Sequence, residues 1–315
     1  MPNLSWSLFK GYYAGFDPYD WVKDEKNKVQ EDRIQNHIKQ KHFPFVKDEF
    51  KLLIPEAVKE PIDFTLKLSY PGLLYGAGYG QSTGVTGSLQ LGYELDYTTG
   101  MPVIHGSSIK GAIRARFPGF TFNLKKRYDT DEVFRRFDLV SKSQEIKMKK
   151  EAEIQYQKAE FIFKKLFSRL DDKREVIRTI YLLEQQIFEG LNVKESQEND
   201  IFISNCKGKD LFFEAFPVKC DHRGRLFGED YITPHDENGL KNPTPLPFLK
   251  VMPGVEYAFR FELSDAILPG TKTNHVISDE KIITKKQKSD LFRDILCDYG
   301  LGAKTNVGYG QFEPA

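Results

Sequence analysis

The sequence predicts an α+β fold built on an antiparallel sheet, and three observations predict it. Met101–Phe117 reads as a strand and then a helix: Met101–Ile104 is extended, His105-Gly106 turns, and Ile109, Ala112, Ile113 and Phe117 recur at helical spacing. A helix followed by a strand occupies SDLFRDILCDYG (289–300) and LGAKTNVGYGQF (301–312). Elsewhere short runs alternate apolar and polar residues, as half-buried antiparallel strands do. Such units, split by insertions, suggest a ferredoxin-like (RRM-like) sheet.

Composition bounds the chain before any motif does. Of 315 residues, 40% are hydrophobic and 13% aromatic, enough for a real core, while 29% charged residues fit a folded soluble protein. No apolar run approaches the roughly 18–20 residues of a membrane helix, so no membrane partner is expected. The opening MPNLSWSLFKGYY lacks a signal-peptide pattern. Cys206, Cys220 and Cys297 are odd in number and form no CxxC pair, so they read as reduced thiols of a cytoplasmic protein. A net charge of +1 argues against indiscriminate nucleic-acid binding but leaves room for a focused basic groove.

Residues 1–60 read as an N-terminal extension. Trp6, Leu8, Phe9, Tyr12, Tyr13, Phe16, Tyr19 and Trp21 cluster there, ahead of a charged helix around Trp21–Gln40. Two readings stand: a cover for the domain's own apolar surface, or an aromatic docking face for a neighbouring subunit. His37 and His42 have no third ligand in view and read as surface residues. One domain spans 61–315. Its first strand is IDFTLKLSY (62–70), with Ile62, Phe64, Leu66 and Leu68 alternating. The loop PGLLYGAGYGQSTGVTGS (71–88) is glycine-rich, but Gln81 stands where a dinucleotide fingerprint starting at Gly76 needs glycine. It is either an irregular connection or a loop facing a ligand. LQLGYELDY (89–97) reads as a second strand.

A helical insertion occupies about 125–200. Ile154, Phe161, Ile162, Leu166 and Leu170 form one stripe and Val176, Ile177, Ile180, Tyr181, Leu183 and Ile187 another, a helical hairpin turning at DDKRE. Arg135, Arg136, Lys147, Lys149 and Lys150 read as its solvated face, and LNVKESQENDIF (191–202) as a polar connector. DLFFEAFPVKC (210–220) and VEYAFRFEL (255–263) are strands. Between them, residues 228–254 carry Pro234, Pro243, Pro245, Pro247 and Pro253, which excludes a central strand and suggests a protruding hairpin or long loop. His222 and His235, near Asp221 and Asp236, are too scattered for a metal site, and no cofactor or metal is expected.

The chemistry concentrates at HGSSIKGAIR (105–114). Ser107 or Ser108 would cap the helix. Lys110 would then sit in its first turn, where the macrodipole disfavours a cation unless an anion is bound. No Asp or Glu occurs between Tyr97 and Tyr128, whereas Lys110, Arg114, Arg116, Lys125, Lys126 and Arg127 are basic. Such a local surplus is what a phosphate-backbone site looks like. At 301–312, GLGAKT fails as a P-loop because Ala303 precedes the lysine and no helix follows.

HGSSIKGAIR resembles the P-G-S-S-[IV]-K-G-x-[LI]-R signature of RAMP proteins, the RNA-binding subunits of CRISPR effector complexes, with His105 in place of the usual proline. Gly302, Lys304, Thr305, Gly308, Tyr309 and Gly310 resemble the family's C-terminal loop, G-x-G-x-K-T-x-x-G-x-G-x-[FL]. Within the superfamily, SYPGLLYGAGYG, LGYELDYTTGMPVIHGSSIKG, GEDYITPH and LGAKTNVGYGQF are most similar to the sixth subunit of the type III-B (Cmr) effector.

The resemblance implies a RAMP ferredoxin-like domain and a thumb-like element at 228–254. It further implies RNA-backbone contacts from Gly106, Ser107, Ser108, Lys110 and Arg114, from Gly78, Tyr79 and Gly80, and from Gly302, Lys304, Thr305, Gly308 and Tyr309. The two glycine-rich loops could converge on one groove. The implied role is that of a non-catalytic, structural CRISPR RNA-binding subunit of an antiviral ribonucleoprotein, capping the backbone filament near the crRNA 3′ end. Its partners would be crRNA, target RNA, the backbone RAMP subunit, the first-numbered Cmr subunit and the small helical subunit. The rival reading is a RAMP-type endoribonuclease using His105 or Asp96.

Overall fold

The computed structural model describes residues 63–315 apart from 77–89, 92, 97–99, 120–129, 143–144, 168–171, 196–200, 206–207, 209, 233–244, 269–271, 274–275 and 278–280. The aromatic extension, with His37 and His42, lies outside the described residues, as do Gly78, Tyr79, Gly80 and His235. The described residues gather into two compact units. One holds the residues up to Gly106 with Glu214–Arg260 and Leu296–Ala315; the other holds Ser107–Phe213 and Phe261–Ile295.

In the first unit, β1 (Phe64–Leu68) forms as its alternation predicts, with Leu66 and Leu68 buried. β2 is Gln90–Leu91, and Tyr93–Asp96, expected to continue it, lie outside any strand. Beyond it the chain doubles back: Asp96 N–H donates to the Met101 carbonyl and Val103 N–H to that of Glu94, while the Tyr93 ring stacks on Phe227 at 4.4 Å. Met101–Ile104 is accordingly not a strand but an extended segment with single bridges from Pro102 to Leu95 and from Ile104 to Ala215.

The helix that follows, α1, spans Gly106–Arg114 and buries Ile109 and Ile113. The insertion of the second unit has three helices, not two: α2 (Thr130–Ser141), α3 (Ile146–Leu166) and α4 (Lys173–Glu189). Asp172 caps α4 by accepting from the Glu175 N–H at 2.9 Å. On α3 the buried stripe is Ala152, Ala159, Ile162, Phe163 and Leu166; Ile154 is 54% exposed, because it lies outside the arc that these residues define. The supposed connector is an antiparallel hairpin, β3 (Leu191–Glu195) and β4 (Ile201–Asn205), whose two arms carry Leu191, Val193, Ile201 and Ile203 in alternation on either side of the polar SQEN.

The long runs at 210–220 and 255–263 each break in two. β5 (Leu211–Phe212) pairs with β10 (Phe261–Glu262) in the second unit. β6 (Phe216–Lys219) and β9 (Glu256–Phe259) pair in the first. Residues 228–254 contain a hairpin, β7 (Phe227–Ile232) and β8 (Leu246–Val251), and its tip lies outside the described residues. Against expectation, β8 is a central strand, flanked by β7 and, in parallel, β2. Pro247 lies in β8 opposite Tyr231 of β7, inside the sheet and not beyond it.

The second unit continues through β11 (Ala266–Leu268), the short pair β12 (Lys272–Thr273) and β13 (Val276–Ile277), and β14 (Lys281–Ile283). Thr284 and Gln287 then exchange side chain-to-backbone hydrogen bonds, a reciprocal cap that opens α5 (Lys285–Tyr299) four residues before the sequence suggests. Leu291, Phe292, Ile295 and Leu296 are its buried face, and Gly300 ends it at φ +72°.

β15 (Phe312–Pro314) completes a four-stranded antiparallel sheet in the order β15-β1-β9-β6. Along the chain the elements run β1, α1, β6, β9, α5, β15. That is the ferredoxin-like order, with everything else inserted. Cross-strand pairs hold the register: Phe64 stacks on Phe259 at 5.4 Å, and Lys67 bridges Glu313 at 2.8 Å opposite it.

Candidate nucleic-acid interface

Within the second unit, α1 presents the first group of basic residues. The helix opens at Gly106, one residue earlier than the serines imply, so Ser107 and Ser108 lie inside the first turn and not at the cap. Lys110 falls in the second turn, where the macrodipole penalty has largely faded. Its ammonium lies 5.7 Å from the Phe212 ring centroid. Arg114, in the last turn and exposed, is held by Glu189, and its guanidinium stands 5.7 Å from the Phe188 ring centroid. Gly111 is open: a Cβ there would meet nothing within 4 Å.

Below this face a carboxylate takes over the chain as it leaves the helix. Gly119 N–H is shared between the two oxygens of Glu184 at 3.1 and 3.2 Å. Burial pushes the Glu184 carboxyl up to about 7, against the Gly119 hydrogen bond and the nearby Arg114 and Lys158 charges, which favour its anion. Lys158 itself donates to the Ala115 carbonyl at 2.8 Å. The basic surplus read from Tyr97–Tyr128 is therefore partly answered by acids from α4, which local sequence could not show.

Within the first unit, the loop 301–311 is closed by its own backbone. Leu301 N–H donates to the Gly310 carbonyl, Ala303 N–H to that of Leu74, and Gly310 N–H to that of Gly72, at 2.7–2.8 Å. The glycines make this possible. A Cβ on Gly310, at φ +66°, would sit 1.9 Å from the Leu301 carbonyl oxygen, and one on Gly302, at φ +103°, 2.5 Å from that of Leu74. Lys304 is the one non-glycine with positive φ among the described residues, at +57°. It starts a single 3₁₀ turn, Thr305–Val307, and its side chain is exposed. Neither Lys110 nor Lys304 pairs with a carboxylate among the described residues.

Tyr309 is engaged within the protein. Its hydroxyl donates to Asp230 Oδ2 at 2.7 Å, and Lys250 donates to the same oxygen at 2.6 Å. Partial burial works against the Asp230 anion, but these two donors outweigh it and hold the carboxyl below its usual range. Burial and the Asp230 hydrogen bond push the Tyr309 phenol well up. Gly308 lies against Pro71, whose Cδ is 3.4 Å from a Cβ position there. Gly302 and Gly308 shape the loop and Tyr309 anchors it, while Lys304 is exposed and Thr305 half-buried. Lys250, Asp230 and Tyr70 belong beside them and were not legible as a group.

The nuclease candidate is also constrained. Glu94 Oε1 lies 3.2 Å from His105 Nε2 and Glu214 Oε1 3.3 Å from Nδ1, while the His105 N–H donates to the Tyr75 hydroxyl at 3.0 Å. Partial burial disfavours the imidazolium, yet the two carboxylates more than offset it and raise the ring above the ordinary 6.5. Asp221, beside His222, accepts from the backbone N–H groups of Arg223 and Arg225 and from the Arg225 guanidinium, a turn-forming role. No cluster of metal ligands occurs among the described residues, and no helix among them is long and apolar enough to cross a membrane.

Among curated proteins no sequence matches the chain. Solved structures give low-identity likenesses. A chain of the type III-B Cmr-beta complex bound to cognate target RNA is 18% identical, with 93% of this chain and 73% of that one covered and a TM-score of 0.44. Cmr6 from Pyrococcus furiosus is 18% identical over 80% of this chain and 94% of its own, at a TM-score of 0.32. A chain of the type III-A Csm–crRNA–target RNA ternary complex is 16% identical, covering 56% of this chain and 40% of that one, at 0.24. A model of the RAMP superfamily matches residues 65–313, which takes in β1, the helix-opening motif, the glycine-closed loop and the first residues of β15. With the ferredoxin-like strand order and both motifs inside that span, the chain belongs to the RAMP superfamily.

Proposed function

We propose that the chain is a non-catalytic, crRNA-binding structural subunit of a cytoplasmic type III-B (Cmr) effector, capping the backbone filament near the 3′ end of the guide. The observation that carries this reading is Lys304. A family-motif lysine is held in a left-handed backbone conformation on a loop locked by Gly302 and Gly310, and its charge is turned to solvent instead of being neutralised. Fixed, exposed cations next to exposed backbone suit sugar–phosphate contacts, which position a strand without reading its sequence. Lys110 and Arg114 add charge from the second unit. The partners would be crRNA, target RNA, the backbone RAMP subunit, the first-numbered Cmr subunit and the small helical subunit.

The state of His105 supports a role without catalysis. A general base needs a free ring nitrogen at the reacting proton, and both nitrogens here face carboxylates. The test is a Lys110→Glu, Arg114→Glu, Lys304→Glu triple variant titrated against guide RNA by fluorescence anisotropy at moderate salt. Affinity should collapse; unchanged affinity sinks the reading. Incubation with guide and target RNA, with and without Mg²⁺, should leave both intact. Cleavage abolished by His105→Ala or Asp96→Asn would replace it with the nuclease reading.

A further inference from the structure

We propose that Tyr70 is a stacking platform for one base of the single-stranded RNA whose backbone the 301–311 loop grips. This rests on the RNA-binding reading above and adds to it a base contact that lies outside both family motifs.

Tyr70 follows β1 and is 84% exposed, although Leu68, Gly72 and Leu73 around it are buried. Beside its ring stands a cation that is itself inside the protein. Lys250 is only 7% exposed, and its ammonium lies 5.8 Å from the Tyr70 ring centroid and 5.7 Å from that of Tyr309. Asp230 pins that ammonium at 2.6 Å and the Tyr309 hydroxyl at 2.7 Å through one oxygen. Tyr309 in turn lies 6.3 Å, ring to ring, from Phe248 of the same hairpin. The ring of Tyr70 is thus backed by a fixed, neutralised cluster on the protein side, while most of its surface faces solvent.

The neighbourhood matches a nucleotide. Gly308 abuts the Tyr70-Pro71 backbone, with the Tyr70 carbonyl oxygen 3.9 Å from a Cβ position there. One 3₁₀ turn back along the chain is Lys304, exposed and free to take a phosphate. The aromatic face accepts any base through its π-face, and Lys304, which no carboxylate engages among the described residues, is left to take a phosphate of the same strand through charge.

The test uses the full chain and a single-stranded RNA substituted with 5-iodouridine. After irradiation, the crosslinked peptide should contain Tyr70, and the crosslink should survive Tyr70→Phe and vanish in Tyr70→Ala. By anisotropy, Tyr70→Ala should weaken binding on the order of tenfold with an unchanged salt slope, as loss of a stacked base does. Tyr70→Phe should bind as the parent does. A crosslink mapping elsewhere, or Tyr70→Ala binding like the parent while Lys304→Ala weakens it, overturns the platform and leaves the RNA-binding role standing. A parent chain that binds no RNA removes both. Normal RNA binding by Tyr70→Ala together with failed assembly onto other subunits would make Tyr70 a protein contact and also overturn the proposal.

Discussion

Two lysine-bearing, glycine-containing motifs place their cations by different physics, Lys110 half-buried and Lys304 exposed. On α1 the scaffold is a regular helix: Ile109 and Ile113 anchor it, Lys110 and Arg114 project from it, and Gly111 carries no geometric burden. In the 301–311 loop the scaffold is the backbone itself, and Gly302 and Gly310 occupy positions where a side chain has no room. The same residue type is therefore dispensable in one motif and obligatory in the other. A glycine in a signature carries no meaning until its φ and its neighbours are known.

The largest expected effect tests that contrast directly. Gly310→Ala combines a left-handed φ with a collision against the Leu301 carbonyl, and should cost about 3 kcal/mol, read as a lowered midpoint in thermal or urea unfolding. An unchanged midpoint would mean the loop is far more pliable than its hydrogen bonds imply. Next is charge. Lys304→Ala should weaken guide-RNA binding and lower the slope of log Kd against log salt by about 0.7, the value of one single-strand phosphate contact. Arg114→Ala should do less, because Glu189 already engages it, and Glu189→Gln should strengthen binding about two- to threefold by releasing it. Equal losses from Lys304→Ala and Arg114→Ala would erase the distinction.

A smaller effect of opposite sign is expected at the other glycine. Gly111→Ala should stabilise the chain by about 0.5–1 kcal/mol through helix propensity. If it also weakens RNA binding, Gly111 admits close backbone approach after all. The smallest effect is that of His105. Its ring is raised in the folded state, so its contribution is complete below the ordinary 6.5 and fades as pH rises through the higher folded value. A His105→Gln variant should lose a modest increment of stability at pH 5–6 that is absent at pH 9, and a pH-independent difference would refute the carboxylate clamp.

Local periodicity made much of the fold legible. Ile109 and Ile113 of α1 and Leu291, Phe292, Ile295 and Leu296 of α5 are buried where the sequence puts them, because one helical face needs only neighbours three and four residues away. Ala112 is half-buried, and Phe117 is buried past the end of α1. What failed depended on partners. The polar SQEN reads as linker until the alternation on both sides is allowed to pair. Pro247 reads as an edge until β7 and β2 are seen to flank its strand on both sides. The groups least visible are those joined across the chain. Tyr309 meets Asp230 over 79 residues, and buried Lys288 meets Asp210 over 78, at 2.6 Å. Neither carries any local signature, and removing one partner of such a buried pair costs about 3–5 kcal/mol.

β15 lies at one edge of the main sheet, hydrogen-bonded to β1, the strand furthest from it along the chain. During synthesis β1 emerges early and must wait, one flank open, until Phe312–Pro314 follow. Loops of this length close slowly, and an unpaired strand invites the wrong neighbour. A chain cut short before Phe312 would therefore leave its principal sheet without its closing strand and β1 with one flank unpaired.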